Sequence, residues 1–177
     1  KRLGILGMGR IGQQVARRAS GFDMEVAYHN RRPVAGSPHR YIDSLHALAT
    51  WCDFLVITAA GGDDTRHMVN AQVLDALGPQ GFMQAAELCY HKAALLHALQ
   101  TKRIAGAGLD VFGDVPHLLP ALLQQDNVVL APHIASGTQE TRRAMADLVL
   151  ANLRRFIANG SLLQEVPWSQ AAAAAHA

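Results

Sequence analysis

Charge is scarce in this chain. Of 177 residues 17% are charged, and 16 Lys and Arg against 14 Asp and Glu leave a formal net charge of +2. So even a balance excludes an acidic tail, and it argues against a nucleic-acid partner. The arginine pairs Arg17/Arg18, Arg31/Arg32, Arg142/Arg143 and Arg154/Arg155 are scattered, with no aromatic interleaving. Cysteine is scarcer still. Cys52 and Cys89 make neither a disulfide framework nor a metal-ligand spacing, so no metal is expected, and two unpaired thiols fit a reducing cytoplasm. No apolar run approaches the length of a membrane span and no signal-peptide pattern is visible, so no membrane association is expected. What the chain does have is apolar residues, 50% of the total. They come in short runs, in the proportion that a sheet buried on both faces requires. The length suits one well-packed domain and is too short for two of ordinary size.

The apolar runs alternate with helical patterns. Strands are predicted over Arg2–Leu6, Glu25–Tyr28, Phe54–Ile57, Gly81–Ala85, Ala105–Leu109 and Val128–Leu130. Helices are predicted over Arg10–Ser20, Ser44–Thr50, Ala71–Leu77, Lys92–Gln100 and Thr138–Asn159, the last capped by Ser136 or Thr138, with Ala144, Leu148, Ala151 and Ile157 along one face. Strand–helix alternation with short connections means an α/β fold, a doubly wound parallel sheet of the Rossmann type. The expected division is a dinucleotide-binding domain over 1–160 and a tail over 161–177, whose low-complexity end, Gln170–Ala177, is set aside from the fold. Lys1 sits at the very start of the first strand, and the expectation is of a cofactor domain whose substrate domain is absent.

The densest signal is the opening one. An apolar strand runs into Gly7-Met8-Gly9-Arg10-Ile11-Gly12, and a helical pattern (Ile11, Val15, Ala19) follows at once. Gly7 permits a tight turn, Gly9 lets the backbone approach a pyrophosphate, and Gly12 lets helix and strand pack closely. The N–H groups at the start of the new helix then face the phosphates. Sites for NAD place an Asp or Glu at the end of the second strand, about 20 residues further on, to bond the ribose 2′-hydroxyl. Here that strand ends Tyr28-His29-Asn30-Arg31-Arg32-Pro33, with no carboxylate at its tip. Two guanidiniums can fork onto a 2′-phosphate, and Asn30 can donate to the same group, so NADP is expected ahead of NAD.

With these motifs stand Gly78-Pro79-Gln80-Gly81-Phe82, then Gly106-Ala107-Gly108-Leu109-Asp110-Val111-Phe112, and Ala131-Pro132-His133-Ile134-Ala135-Ser136-Gly137-Thr138. In this order the chain resembles the cofactor-binding domain of the D-isomer-specific 2-hydroxyacid dehydrogenases, most nearly the NADP-dependent glyoxylate/hydroxypyruvate reductases. The resemblance implies hydride transfer between a nicotinamide and the carbonyl carbon of a small 2-keto acid. It implies His133 as the general acid, a task that suits imidazole, and Asp110 as a contact to the nicotinamide amide. Thr58, Ala59 and Thr65 match the loop over the adenosine side. Ser136 and Gly137 lie where the family's backbone approaches the nicotinamide. A homodimer is implied as well.

Two of the family's three catalytic positions are not matched. The arginine that binds the substrate carboxylate has no counterpart in Phe82-Met83-Gln84-Ala85-Ala86-Glu87-Leu88-Cys89-Tyr90-His91-Lys92, and no arginine lies between Arg66 and Arg103. Lys92 is the nearby cation, but a flexible ammonium does not replace a bidentate fork. In Asp110-Val111-Phe112-Gly113-Asp114-Val115-Pro116, Val115 stands where the family has the carboxylate that partners the histidine, with Asp114 one residue away. The expectation is a cofactor domain impaired in catalysis as written. The alternative is a cofactor-responsive interaction module that has lost catalysis altogether.

Overall fold

The computed structural model describes residues 1–85, 89–111 and 120–165. Its contacts divide the chain into two units, Lys1–His133 and Ile134–Ala177, taken here one at a time. Among the described residues the first holds seven strands: β1 (Arg2–Leu6), β2 (Glu25–His29), β3 (Arg40–Tyr41), β4 (Phe54–Ile57), β5 (Phe82–Ala85), β6 (Gly106–Leu109) and β7 (Val128–Leu130). They lie in the order β3-β2-β1-β4-β5-β6-β7, and every pairing is parallel. The chain winds outward from β1 to β3, then crosses back to β4 on the other side of β1. That reversal puts the switch point between β1 and β4, where Leu6 is level with both His29 and Ile57.

Period-two alternation splits the apolar strand residues between two cores. Leu6, Leu55, Ile57 and Met83 join Leu48, Leu74, Leu95 and Leu99 from α2 (Leu45–Trp51), α3 (Ala71–Leu77) and α4 (Lys92–Gln100). Leu3, Ile5, Val26 and Tyr28 instead meet Ala16 and Ala19 of α1 (Arg10–Ala19). A fully buried leucine such as Leu48 or Leu74 contributes about 1.5–3 kcal/mol by leaving water.

Three of these helices start on a side-chain cap. Ser44 Oγ accepts the Ala47 N–H at 3.1 Å, Asn70 Oδ1 the Val73 N–H at 3.1 Å, and His91 Nδ1 the Ala94 N–H at 3.2 Å. Ser44 is therefore a cap rather than the first helical residue. The first helix stops at Ala19 and continues as a 3₁₀ turn, Ser20–Phe22, that closes on Asp23 in the left-handed region. Two short elements escape the periodicity. The two-residue β3 and the one-turn α5 (Pro120–Leu123) are both shorter than any repeat.

The second unit contains α6 (Gln139–Asn159). Of the two candidate caps it is Thr138 that accepts, from the Thr141 N–H at 3.1 Å, and Gly160 closes the helix with φ 70°. Taken by itself α6 buries none of its apolar residues, Leu148 and Ile157 included. Asn152 Oδ1 then accepts the N–H groups of Leu163 at 2.7 Å and Gln164 at 3.2 Å, which ties the start of the tail back to the helix. The low-complexity end, 170–177, lies outside the described residues. No helix among the described residues is long and apolar enough to cross a membrane, and they contain no cluster of three or more metal-ligating side chains.

Candidate functional site

Because every strand points the same way, the residues that follow the strands collect along one edge of the sheet. Gly7 to Gly12 follow β1, Asn30 to Arg32 follow β2, and Thr58 and Ala59 follow β4. Asp110 follows β6, and His133 lies three residues beyond β7.

The glycine turn is held from both sides. Gly7 N–H donates to His29 O at 3.0 Å, and the Thr58 hydroxyl donates to Gly7 O at 2.7 Å. Met8 N–H donates to Asn30 Oδ1 at 2.7 Å. The three glycines differ in what requires them. Gly7 has φ +100°, and a Cβ there would overlap the Ala59 amide nitrogen. A Cβ on Gly12 would overlap the carbonyl oxygen of Gly7. Gly9 has φ −83°, and a Cβ there meets no atom within 4 Å. Nothing inside the protein requires a glycine at that position, and the space above it is open.

That space faces the start of α1. Unlike α2, α3 and α4, this helix has no side-chain cap, and like them it has no acidic residue in its first turn. Its leading N–H groups at Arg10, Ile11 and Gly12 therefore present undiminished positive potential. A phosphate diester fits such a cradle in charge, in donors and in room.

The tip of β2 shows what each side chain is doing. Asn30 spends its oxygen on Met8 and keeps its NH₂ as the side that can donate. Its backbone oxygen accepts from the Tyr41 hydroxyl at 3.2 Å, so β3 braces this tip. Arg31 reaches Asp64 at 3.4 Å, both side chains being almost fully solvated, at 90% and 85% relative exposure. Arg32 is exposed. Thr65, expected over the adenosine side, uses its hydroxyl on Ala60 O at 2.8 Å and so closes its own loop. Nothing in the sequence marks Asp64 as the partner of Arg31. Its partner lies 33 positions away, and no local pattern marks such a pair.

At the other end of the edge, Asp110 is a buried acid, 8% exposed, with its N–H on Ala85 O at 3.2 Å. Ala131 N–H bonds Leu109 O at 2.9 Å, and His133 N–H turns back onto Ala131 O at 3.0 Å. His133 itself is exposed and sits at φ +53°, in the left-handed region that side-chain-bearing residues occupy at a cost of about 1–2 kcal/mol. Asp23, His67 and Lys102 hold the same conformation. Ser136 and Gly137 belong to the second unit, in the turn before α6 where Gly137 N–H donates to Ile134 O at 2.8 Å.

The arginine-free segment after β5 is packed at both ends. Met83 and Ala85 are core, Cys89 and Tyr90 are buried, and Lys92 opens α4 behind its His91 cap. Burial pushes the Tyr90 phenol up to about 12, and its hydroxyl donates to Val111 O at 3.3 Å. Burial likewise raises the Cys52 thiol to about 11, which removes it as a nucleophile near neutrality. Ala86 to Leu88 lie outside the described residues, as do Phe112 to Pro116 with Asp114 and Val115.

Comparison with known proteins agrees with this geometry. A family profile described as "D-isomer specific 2-hydroxyacid dehydrogenase, NAD binding domain" matches residues 1–135. A 2-ketogluconate reductase of Gluconobacter oxydans is 48% identical over 94% of the chain and 54% of its own length. A glyoxylate/hydroxypyruvate reductase of Arabidopsis thaliana is 41% identical over the same shares. Among solved structures, an NADPH-dependent glyoxylate/hydroxypyruvate reductase of Sinorhizobium meliloti, in complex with NADP and malonate, superposes with TM-score 0.90 at 42% identity, over 94% of this chain and 53% of that one. The chain thus spans about half the length of the relatives it matches.

Proposed function

The chain belongs to the D-isomer-specific 2-hydroxyacid dehydrogenase family, within its NAD-binding domain, and on that footing we propose that it binds NADP(H) in the reduction of a small 2-keto acid of the glyoxylate or hydroxypyruvate type. The observation that carries the reading is the edge itself: an uncapped helix start over an open Gly9, with two arginines and no carboxylate at the tip of β2.

The parts divide as follows. Gly9, Arg10, Ile11 and Gly12 offer backbone N–H groups to the pyrophosphate. Arg31 and Arg32 take the 2′-phosphate, with the Asn30 NH₂ beside them. Thr58, Ala59 and Thr65 belong to the adenosine-side loop, where Thr58 also holds the glycine turn through Gly7 O and Thr65 closes the loop. Asp110 is assigned to the nicotinamide end. The cofactor, when bound, supplies the hydride. His133, on its exposed turn, gives the proton that the carbonyl oxygen takes up as hydride arrives.

Catalysis is proposed to be weak in this sequence, because a bidentate arginine for the substrate carboxylate has no counterpart between Arg66 and Arg103. Oriented binding can supply roughly 7–11 kcal/mol of a barrier, so its loss is felt in turnover and not in cofactor affinity. That same absence favours a second reading, a dinucleotide-responsive module without turnover. Fluorescence titration with NADPH, run beside glyoxylate reduction on one preparation, separates the two. Binding with slow turnover that disappears in His133→Asn supports the enzyme, and binding with no turnover at all supports the module. Turnover of about 10 per second or more, a typical enzyme value, would refute the impairment. Equal affinity for NADH and NADPH would refute the cofactor choice.

A further inference from the structure

Arg31 and Asp64 approach each other from opposite sides of β1. Arg31 follows β2, Asp64 sits in the 3₁₀ turn Asp63–Thr65 after β4, and β1 with its glycine turn lies between those strands. We propose that Asp64 is a specificity-determining residue: it holds Arg31 in an ion pair that a 2′-phosphate must displace, and so lowers the preference for NADP(H) over NAD(H). The inference rests on the reading of Arg31 given above.

The physical case is one of competition for a single guanidinium. At 3.4 Å the pair is a loose, monodentate contact, and both groups are solvated. Such pairs are weak enough to exchange. A phosphate monoester at the same place offers more charge and three acceptor oxygens, so it wins the arginine, but it does so against Asp64. The displaced carboxylate then stands close to the incoming phosphate and repels it. A ribose 2′-hydroxyl bears no charge and makes no such demand on Arg31, so NAD(H) is indifferent to Asp64. The Thr65 hydroxyl, bonded to Ala60 O and Gly62 O at 2.8 and 3.1 Å, keeps the turn that carries Asp64 in place.

The test is calorimetric titration of the purified protein with NADP⁺, NAD⁺ and adenosine 2′,5′-bisphosphate. It compares the parent, Asp64→Asn, Arg31→Ala and the double variant. Both positions are exposed, so neither change threatens the fold. Asp64→Asn is expected to tighten NADP⁺ and the bisphosphate about two- to fivefold, the usual span of an exposed pair, and to leave NAD⁺ unchanged. The gain should vanish in the Arg31→Ala background and shrink in about 0.5 M salt, where the screening length is a few ångströms. If Arg31→Ala lowers the NADP⁺/NAD⁺ affinity ratio but Asp64→Asn does not raise it, Asp64 has no part in specificity and the inference falls alone. If Arg31→Ala leaves the ratio unchanged, the 2′-phosphate reading is wrong and takes the inference with it.

Discussion

Three glycines in one turn, each in a different setting, give a sharp experiment. Each is changed to alanine in turn. At Gly9 the backbone (φ −83°, ψ −161°) is open to any residue, and the new methyl touches nothing within 4 Å. Alanine restricts the unfolded chain, worth about 0.4–1 kcal/mol in favour of folding. It is also a poorer N-cap than glycine, at a cost of about 0.5–1 kcal/mol. The two offset, so stability should hold within about 0.5 kcal/mol. At Gly12 the methyl meets the carbonyl oxygen of Gly7, a backbone atom that cannot rotate away, and overpacking of that kind costs about 1–3 kcal/mol. At Gly7 a clash with the Ala59 amide is added to a φ of +100°, so the loss there should be the largest, about 2–5 kcal/mol. NADPH affinity should follow another order. Gly9→Ala keeps the fold but fills the approach to the helix N–H groups. Losing one charge-assisted hydrogen bond, worth about 1.5–3 kcal/mol, weakens binding roughly 10- to 150-fold. Urea denaturation and NADPH fluorescence titration measure the two quantities on the same samples. A Gly9→Ala protein that binds NADPH as the parent does would refute the pyrophosphate assignment. A Gly7→Ala protein of unchanged stability would refute the described turn.

Thr58→Val removes the hydroxyl that donates to Gly7 O; a loss of about 0.5–1.5 kcal/mol is expected in urea melts, with NADPH binding weakened as the turn loosens. Asp53 accepts the Arg2 N–H at 2.8 Å and its guanidinium at 3.4 Å, bonds that hold its carboxyl below the ordinary value. Its contribution is therefore present above the ordinary carboxylate range and is lost as pH falls through the lowered value, and an acid titration of stability should flatten in Asp53→Ala. Tyr90 ionises near 12 in the folded protein against about 10 when unfolded. The unfolded state gives up its proton first, so stability should decline as pH rises from about 10 to 12, a decline that Tyr90→Phe removes; ultraviolet titration of the phenolate checks the same shift.

Much of the fold was open to reading along the chain because its signals are local. The strand over Arg2–Leu6, the helices over Ala71–Leu77 and Lys92–Gln100 and the turn at Gly7 each depend on neighbours a few residues away. The short β3 was not open to such reading. Arg40 and Tyr41 are extended because they pair with Ala27 and Tyr28, and two residues carry no period of their own. Cap choice had the same limit, since Ser136 and Thr138 are equivalent as sequence and only the helix geometry selects Thr138.

By themselves, the residues in order determined that an apolar strand, a glycine turn and a helix occur in immediate succession. They also determined that the tip of β2 bears guanidiniums and no acid, and that no arginine lies between Arg66 and Arg103. These are matters of composition and spacing, and no packing can alter them. Tertiary structure decided which of the glycines the protein's own packing requires and which it leaves open. Overlap of a Cβ at Gly7 or Gly12, and open space at Gly9, depend on where Ala59 and the Gly7 carbonyl come to rest. It also decided that Asn30 braces the turn through its oxygen, and that Arg31 meets Asp64 across β1. Those contacts join residues 22 and 33 positions apart. They exist because parallel strands bring the end of every strand to one edge, a neighbourhood that the linear order does not contain.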